Sequence, residues 1–304
     1  MRDEMRFDDD VVIITGAGRG LGREHALAFG RRGAAVLVND IDAEAEVVAA
    51  DIRAQGGRAQ SNQDSVTDGA DAIVAAAIAA FGKVTILVNN AGIICFGLIE
   101  SVTDTQWRQM MAVTLDGAFA MSRAVWPHFR AQGHGKIVNT TSNAGFAGNE
   151  QIVPYGAAKL GVAGLTKGLA QEAIGTGIMV NAIAPMAVTR MNRDVFFGGA
   201  ASEGPDWRDD IRNGVVPMGP PSAVSATVLW LAHRSTDLNG EIFSTSSGKV
   251  ARVAFVVGEG YFNPDHQPED LRDHIDLIRD LRDFLEPKST SDELALIPPL
   301  FTIG

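Results

Sequence analysis

Three side chains in the middle of the chain have the types and spacing for proton transfer at an oxygen. Ser142 closes the apolar, β-prone run 136–141, and Tyr155 and Lys159 follow it in S-N-A-G-F-A-G-N-E-Q-I-V-P-Y-G-A-A-K. A phenol ionises near pH ~10 in water, and an ammonium held beside it favours the phenolate, so Tyr155 is expected to exchange a proton nearer neutrality. Tyr155 and Lys159 lie four apart in the Ala-rich run 155–175, so on a helix they share one face. Ser142 leaves the C-terminal end of a strand, the edge where open α/β sheets bind ligands, and its hydroxyl would hydrogen-bond the reacting oxygen. Together the three suit interconversion of an alcohol and a carbonyl by general acid–base catalysis. A Tyr-x-x-x-Lys spacing taken alone is more often a packed ring beside a solvated ammonium, so the elements around it decide.

Residues 11–15 form a short apolar run that opens into T-G-A-G-R-G-L-G at 15–22, followed by an apolar-periodic helix at 21–32. Gly16, Gly18, Gly20 and Gly22, with Arg19 and Leu21 between them, let the backbone approach a pyrophosphate at a helix N-terminus. The strict G-x-G-x-x-G pattern fails at Leu21; T-G-x-x-x-G-x-G fits. A second strand, 35–39, ends in Asp40, eighteen residues beyond Gly22. A carboxylate there accepts hydrogen bonds from ribose hydroxyls and repels a 2′-phosphate, which favours NAD over NADP. The alternative is that Asp40 caps the helix beginning D-A-E-A-E.

The chain continues with a helix at 42–55, a third strand at 58–63 ending at Asp64 and Ser65 beside an expected adenine edge, and a helix at 68–81. A buried strand at 85–89 leads to N-N-A-G at 89–92, then come one helix at 104–121, a fifth strand at 136–141 and a sixth at 178–183 that stops at Pro185. A helix at 223–233 and a seventh strand at 241–244 follow. Such alternation predicts one α/β domain over 1–304, a doubly wound parallel sheet of seven strands with helices on both faces. Residues 189–221 are irregular and read as a substrate lid, and 250–304 as a C-terminal extension carrying an amphipathic helix at 268–285.

The net charge of −11 over 304 residues argues against nucleic acid or an anionic membrane as a partner. Cys95 is the one cysteine, which excludes an internal disulfide and a Cys-based zinc cluster; the six histidines show no H-E-x-x-H spacing, so no metal is expected. The acidic N-terminus does not read as a targeting peptide, and no apolar run approaches a ~20-residue membrane span, so a cytoplasmic protein is expected.

With the glycine turn, Asp40, N-N-A-G, Ser142, Tyr155 and Lys159 in place, residues 9–250 resemble the short-chain dehydrogenase/reductase family, whose Ser-to-Tyr spacing of 13 and Tyr-to-Lys spacing of 4 recur here. The resemblance implies that Ser142 positions the substrate oxygen, that Tyr155 transfers the proton, and that Lys159 holds the ribose hydroxyls while lowering the Tyr155 pKa. It implies a seven-stranded Rossmann-type fold, a cofactor cleft lined by Asn90, Ala91 and Gly92, and contacts from Pro185, Val188 and Thr189 near the nicotinamide amide. Two departures stand out. Thr114 in M-A-V-T-L-D-G occupies the place of the family's asparagine in a proton relay, and Pro185-Met186 replaces the usual Pro-Gly.

Local runs such as A-L-A-F-G-R-R-G-A-A-V-L-V-N-D are similar to the D-specific 3-hydroxyacyl-CoA dehydrogenase unit of peroxisomal multifunctional enzymes and its bacterial stand-alone relatives. Apolar Met186, Met191, Val195, Phe196, Phe197 and Trp207 suit a hydrophobic substrate, and Arg190, Arg193, Arg208, Arg212, Lys249 and Arg252 could hold coenzyme A phosphates. The same charges could instead be solvated partners of Asp194, Asp206, Asp209 and Asp210, which would leave a hydroxysteroid or another hydrophobic secondary alcohol as substrate. A cofactor-binding regulatory protein with a dead site is the remote alternative. By the resemblance, helices around 105–126 and 155–174 would form the surface of a homodimer or homotetramer.

Overall fold

The computed structural model describes residues 4–187, 219–294 and 296. They divide into two compact units, Met1–Arg252 and Val253–Gly304, although the sequence carries no linker composition at that point. The first unit contains strands β1 (Val11–Thr15), β2 (Ala35–Asn39), β3 (Arg58–Asn62), β4 (Ile86–Asn89), β5 (Gly135–Thr140), β6 (Ile178–Met186), β7 (Ile242–Ser246) and β8 (Lys249–Val253). Among its described residues the helices are α1 (Gly20–Arg31), α2 (Glu44–Ala54), α3 (Ala70–Phe81), α4 (Asp104–Met111), α5 (Gly117–Gln132), α6 (Asn143–Ala147), α7 (Val153–Glu172) and α8 (Ser222–Ala232).

The strands lie in the order β3-β2-β1-β4-β5-β6-β7-β8, and β1 to β7 are all parallel. β1, β2 and β4 are apolar along nearly their whole length because both faces are covered. Alternation within β1 assigns the faces. Val12 and Ile14 pack with α1, α2 and α8, whereas Ile13 packs with α3, α5 and α7.

Among the described residues the main sheet has eight strands where seven were expected. The extra one, β8, follows β7 after the two-residue turn Ser247-Gly248, whose φ values of +48° and +87° match the twist of a tight antiparallel hairpin. β6 also runs past its expected stop: Pro185 and Met186 pair with Thr245 and Ser246. A proline forfeits one donor only, and the ladder continues around it.

In the second unit β9 (Val257–Gly258) pairs antiparallel with β10 (Phe284–Leu285). The helix expected over 268–285 is broken into α9 (Pro268–Asp273) and α10 (Ile275–Ile278), and α11 (Thr290–Leu294) follows β10. His274 marks the break, with its ring stacked on Tyr261 at 4.1 Å. No described residue from 254 onward is buried, so an apolar stripe has no core here to extend the helix against. Among the described residues no helix is long and apolar enough to cross a membrane.

Candidate active site

After β3 the chain returns to place β4 beside β1, so a crevice opens where the strand order reverses. The segments leaving β1 and β4 are laced together there. Thr15 Oγ1 accepts the N–H groups of Asn90 and Ala91 at 3.1 and 3.0 Å. The Asn90 side-chain amide donates to the carbonyls of Thr15 and Gly16 at 2.9 and 3.0 Å, so Asn90 braces the glycine turn.

Gly16 has φ +62°, and a Cβ on it would lie 2.8 Å from Ala91 Cα; a Cβ on Gly22 would strike the Gly16 carbonyl. Gly20 has φ +54° and opens α1, whose first turn receives no side-chain cap. A glycine cradle ending in uncapped helix N–H groups fits the pyrophosphate of a dinucleotide. Leu21 packs its side chain toward the core, which leaves its backbone for the turn.

Asp40 stands at the end of β2. One carboxylate oxygen accepts the Gly18 N–H at 2.9 Å and the other accepts the Asp42 N–H at 3.1 Å. Asp40 does not cap α2, whose N-cap is Ala43 without a side-chain bond; its carboxylate instead closes the turn before α2 through Asp42 and faces the glycine turn through Gly18. At the end of β3, Asn62 bonds both the N–H and the carboxylate of Asp64, Asn39 donates to the Asp64 carbonyl at 2.9 Å, and Ser65 pairs with Thr67. Asp64 and Ser65 thus adjoin Asp40, whose N–H donates to the Asn62 carbonyl at 3.1 Å.

Across the crevice, Ser142 caps α6 by accepting the Ala144 N–H at 3.2 Å. Pro154 in the first turn of α7 starts the helix that carries Tyr155 and Lys159. Lys159 is 4% exposed, its Nζ donates to the Thr140 carbonyl at 2.7 Å, and it stands 5.7 Å from the centre of the Tyr155 ring. Thr141 Oγ1 donates to the Lys159 carbonyl at 2.5 Å, so the end of β5 is stitched to α7 at both ends of the lysine.

Burial raises the Tyr155 pKa above that of an ordinary phenol, and a hydrogen bond with Ser142 opposes that shift. Burial likewise brings Lys159 down to about 8. The lowered Tyr155 pKa expected from the sequence is therefore reversed in the protein alone. The cause is desolvation, which outweighs an ammonium directed at the Thr140 carbonyl.

Residues 104–132 form one helical stretch with a π-helical turn, Ala112–Asp116, inserted between α4 and α5. Thr114 sits in that wider turn, 1% exposed, with its hydroxyl 3.7 Å from Met110 Sδ, a weak acceptor. A Cβ on Gly92 would lie 3.4 Å from Lys159 Nζ and 3.6 Å from Thr114 Oγ1, so both groups border one point beside N-N-A-G. Turns of this kind often occur at functional sites. Thr114→Val keeps the shape and deletes the hydroxyl; turnover is expected to fall about tenfold, while Thr114→Asn keeps most of it. Equal rates in all three would reduce Thr114 to packing.

The family model for short chain dehydrogenases matches residues 10–196. The chain belongs to that family. It is accordingly an oxidoreductase of CH–OH groups that works with a nicotinamide cofactor. This dehydrogenase is 35% identical over 306 residues to the mouse peroxisomal multifunctional enzyme type 2, covering 96% of this chain and 40% of that protein. It spans about a third of the length of two fungal peroxisomal hydratase-dehydrogenase-epimerases. It is 34% identical to the (2S)-[(R)-hydroxy(phenyl)methyl]succinyl-CoA dehydrogenase subunit BbsD of Thauera aromatica, covering 81% of this chain and 98% of that one. A crystal structure of a short chain dehydrogenase from Mycobacterium avium superposes with a TM-score of 0.76 at 32% identity, covering 90% of this dehydrogenase and 97% of that chain.

The glycine turn, Asp40, Asn90 to Gly92, Thr114, Ser142, Tyr155 and Lys159 all come from strand ends or the helices that follow them. Pro185 lies within β6, and Val188, Thr189 and all of the expected lid before Gly219 lie outside the described residues. The sequence motifs assign no role to the Thr15 side chain or to Thr140, whose oxygens hold Asn90, Ala91 and Lys159. Threonines ending two buried strands beside candidate site residues were the available signal.

Proposed function

We propose that this dehydrogenase uses NAD to interconvert a secondary alcohol and a ketone on a 3-hydroxyacyl-CoA, with Ser142, Tyr155 and Lys159 carrying the chemistry. The observation behind the catalytic assignment is the convergence of Ser142, Tyr155 and buried Lys159 at the sheet edge that also holds the glycine turn. Ser142 Oγ holds the substrate oxygen, and the Tyr155 hydroxyl takes or gives its proton. Lys159, once engaged with cofactor hydroxyls, supplies positive charge beside the phenol. The nicotinamide, when bound, accepts or donates the hydride. Gly16 to Gly22 take the pyrophosphate, with Asp64, Ser65 and Asn90 to Gly92 lining the rest of the cofactor site.

NAD is preferred because Asp40 puts a carboxylate, fixed by two backbone N–H groups, beside the glycine turn. Asp40→Ala is expected to narrow the NAD-over-NADP ratio of kcat/KM by about tenfold. Wild-type enzyme that used the two cofactors equally would remove this basis.

The thioester is supported by the succinyl-CoA dehydrogenase among the relatives and by the basic residues Arg190, Arg193, Arg208, Arg212, Lys249 and Arg252 in the sequence. One of these is committed elsewhere: Arg252 pairs with Glu241 at 3.2 Å. That pairing favours a second reading, in which apolar contacts select a free hydrophobic alcohol such as a hydroxysteroid. The deciding measurement compares a 3-hydroxyacyl-CoA with the matching free acid at two salt concentrations. Loss of the coenzyme A handle should cost about 100-fold in kcat/KM, and salt should weaken the thioester reaction. Indifference to the handle would leave the second reading.

The proposed assembly is a homodimer or homotetramer joined through α4, α5 and α7, on which Trp107, Phe119 and Leu160 are exposed; sedimentation at several concentrations tests it. The cytoplasm is the proposed compartment, in keeping with a single cysteine.

A further inference from the structure

Arg19 lies inside the glycine turn, directly after the residue whose N–H binds Asp40, and its charge also feels the Asp40 carboxylate. Its guanidinium is already engaged on two sides. One nitrogen stands 3.1 Å from Asp42 Oδ2, and Nε donates to Glu44 Oε1 at 3.1 Å, with a second nitrogen closing on the same oxygen. The acidic partners have independent reasons to stay. The Asp42 N–H is held by Asp40, and Glu44 opens α2, where the helix dipole favours a negative charge.

We infer that Asp42 and Glu44 are specificity-determining residues that suppress NADP binding by occupying the guanidinium of Arg19. The inference rests on the reading of NAD as cofactor and adds a second layer to Asp40. A phosphate is bound best by a guanidinium with a free fork of donors, and this fork is filled by carboxylates. Charge points the same way: one cation faces Asp40, Asp42 and Glu44, so removing Asp40 alone still leaves Arg19 neutralised by two acids. Specificity then comes from denying the competing ligand its cation as well as from repelling it. Each ion pair is partly exposed and individually weak, so neutralising the acids should release Arg19 without disturbing the fold.

The test titrates NADH and NADPH separately into wild-type protein and three variants, read by the change in nicotinamide fluorescence. Asp42→Asn with Glu44→Gln should leave NADH affinity within about twofold and strengthen NADPH by about tenfold. Adding Asp40→Ser should raise NADPH affinity further, and the gain should shrink with added salt. Adding Arg19→Ala to the triple variant should abolish the part contributed by Asp42 and Glu44. NADPH affinity unmoved by the double variant would overturn the inference, and so would a gain that survives Arg19→Ala, because plain repulsion would then explain it. Wild-type protein that binds NADPH as tightly as NADH would instead overturn the NAD reading beneath it. The melting temperature of each variant, kept near that of wild type, separates these results from loss of fold.

Discussion

Tyr155→Phe is expected to lower turnover about 1000-fold while leaving NADH affinity within about twofold of wild type. The substitution removes one oxygen and keeps the ring beside Lys159, so the packing at the start of α7 is retained. If the phenol exchanges the substrate proton, the lost interaction belongs to the transition state, and kcat and kcat/KM should fall together. The pH profile supplies a further check. Alcohol oxidation needs the phenolate, whose fraction grows as pH rises towards the Tyr155 pKa, and burial pushes that pKa upward in the protein alone. Wild-type oxidation should therefore climb on the alkaline side, with cofactor charge and Lys159 setting how early the climb begins, and the Phe variant should lose that limb. Stopped-flow single turnovers measure the hydride step, and NADH titration measures affinity. Near wild-type turnover in the variant would move the proton transfer to another group.

The sheet was legible because its information is local. Five-residue apolar strands, glycine stops and Ala-rich helices each announce themselves within a few residues, and their alternation limits the topology to right-handed parallel crossovers. Ser142, Tyr155 and Lys159 were legible for a related reason: the strand end and the i, i+4 spacing are short-range patterns. What failed depended on tertiary surroundings. The π-helical turn at Ala112–Asp116 is invisible to a 3.6-residue period that continues on both sides of it. β8 needed the Ser247-Gly248 turn to fold back on β7. The break at His274 reflects a segment without a buried core. Most instructive is the Tyr155 pKa, whose sign depends on desolvation and on where the Lys159 ammonium points, and neither is written in a spacing of four.

Lys159→Met should stabilise the protein near neutral pH while removing most of its activity. Burial brings the Lys159 pKa from 10.5 to about 8, so the folded protein releases this proton more readily than the unfolded chain. The unfolded state therefore binds more protons between pH ~8 and ~10.5, and this lysine's contribution to stability rises with pH across that window. Below it, the folded state carries the full cost of a buried ammonium, on the order of 3 kcal/mol. Methionine fills a similar unbranched volume without charge. It also gives up the hydrogen bond to the Thr140 carbonyl, a loss of about 2 kcal/mol for a charged donor. The balance is a gain of about 1 kcal/mol at pH 7, or roughly 2–4 °C in melting temperature, and it should turn into a net loss above pH ~9 as the wild-type lysine becomes neutral. Turnover should fall at least ~100-fold and cofactor affinity should weaken, because the proposed lysine serves both the phenol and the cofactor hydroxyls. Thermal melts of both proteins from pH 6 to pH ~10.5, beside NADH titrations, decide it. A variant less stable than wild type at pH 7, with a parallel pH profile, would mean that the buried ammonium costs the fold nothing and that its hydrogen bond to Thr140 dominates.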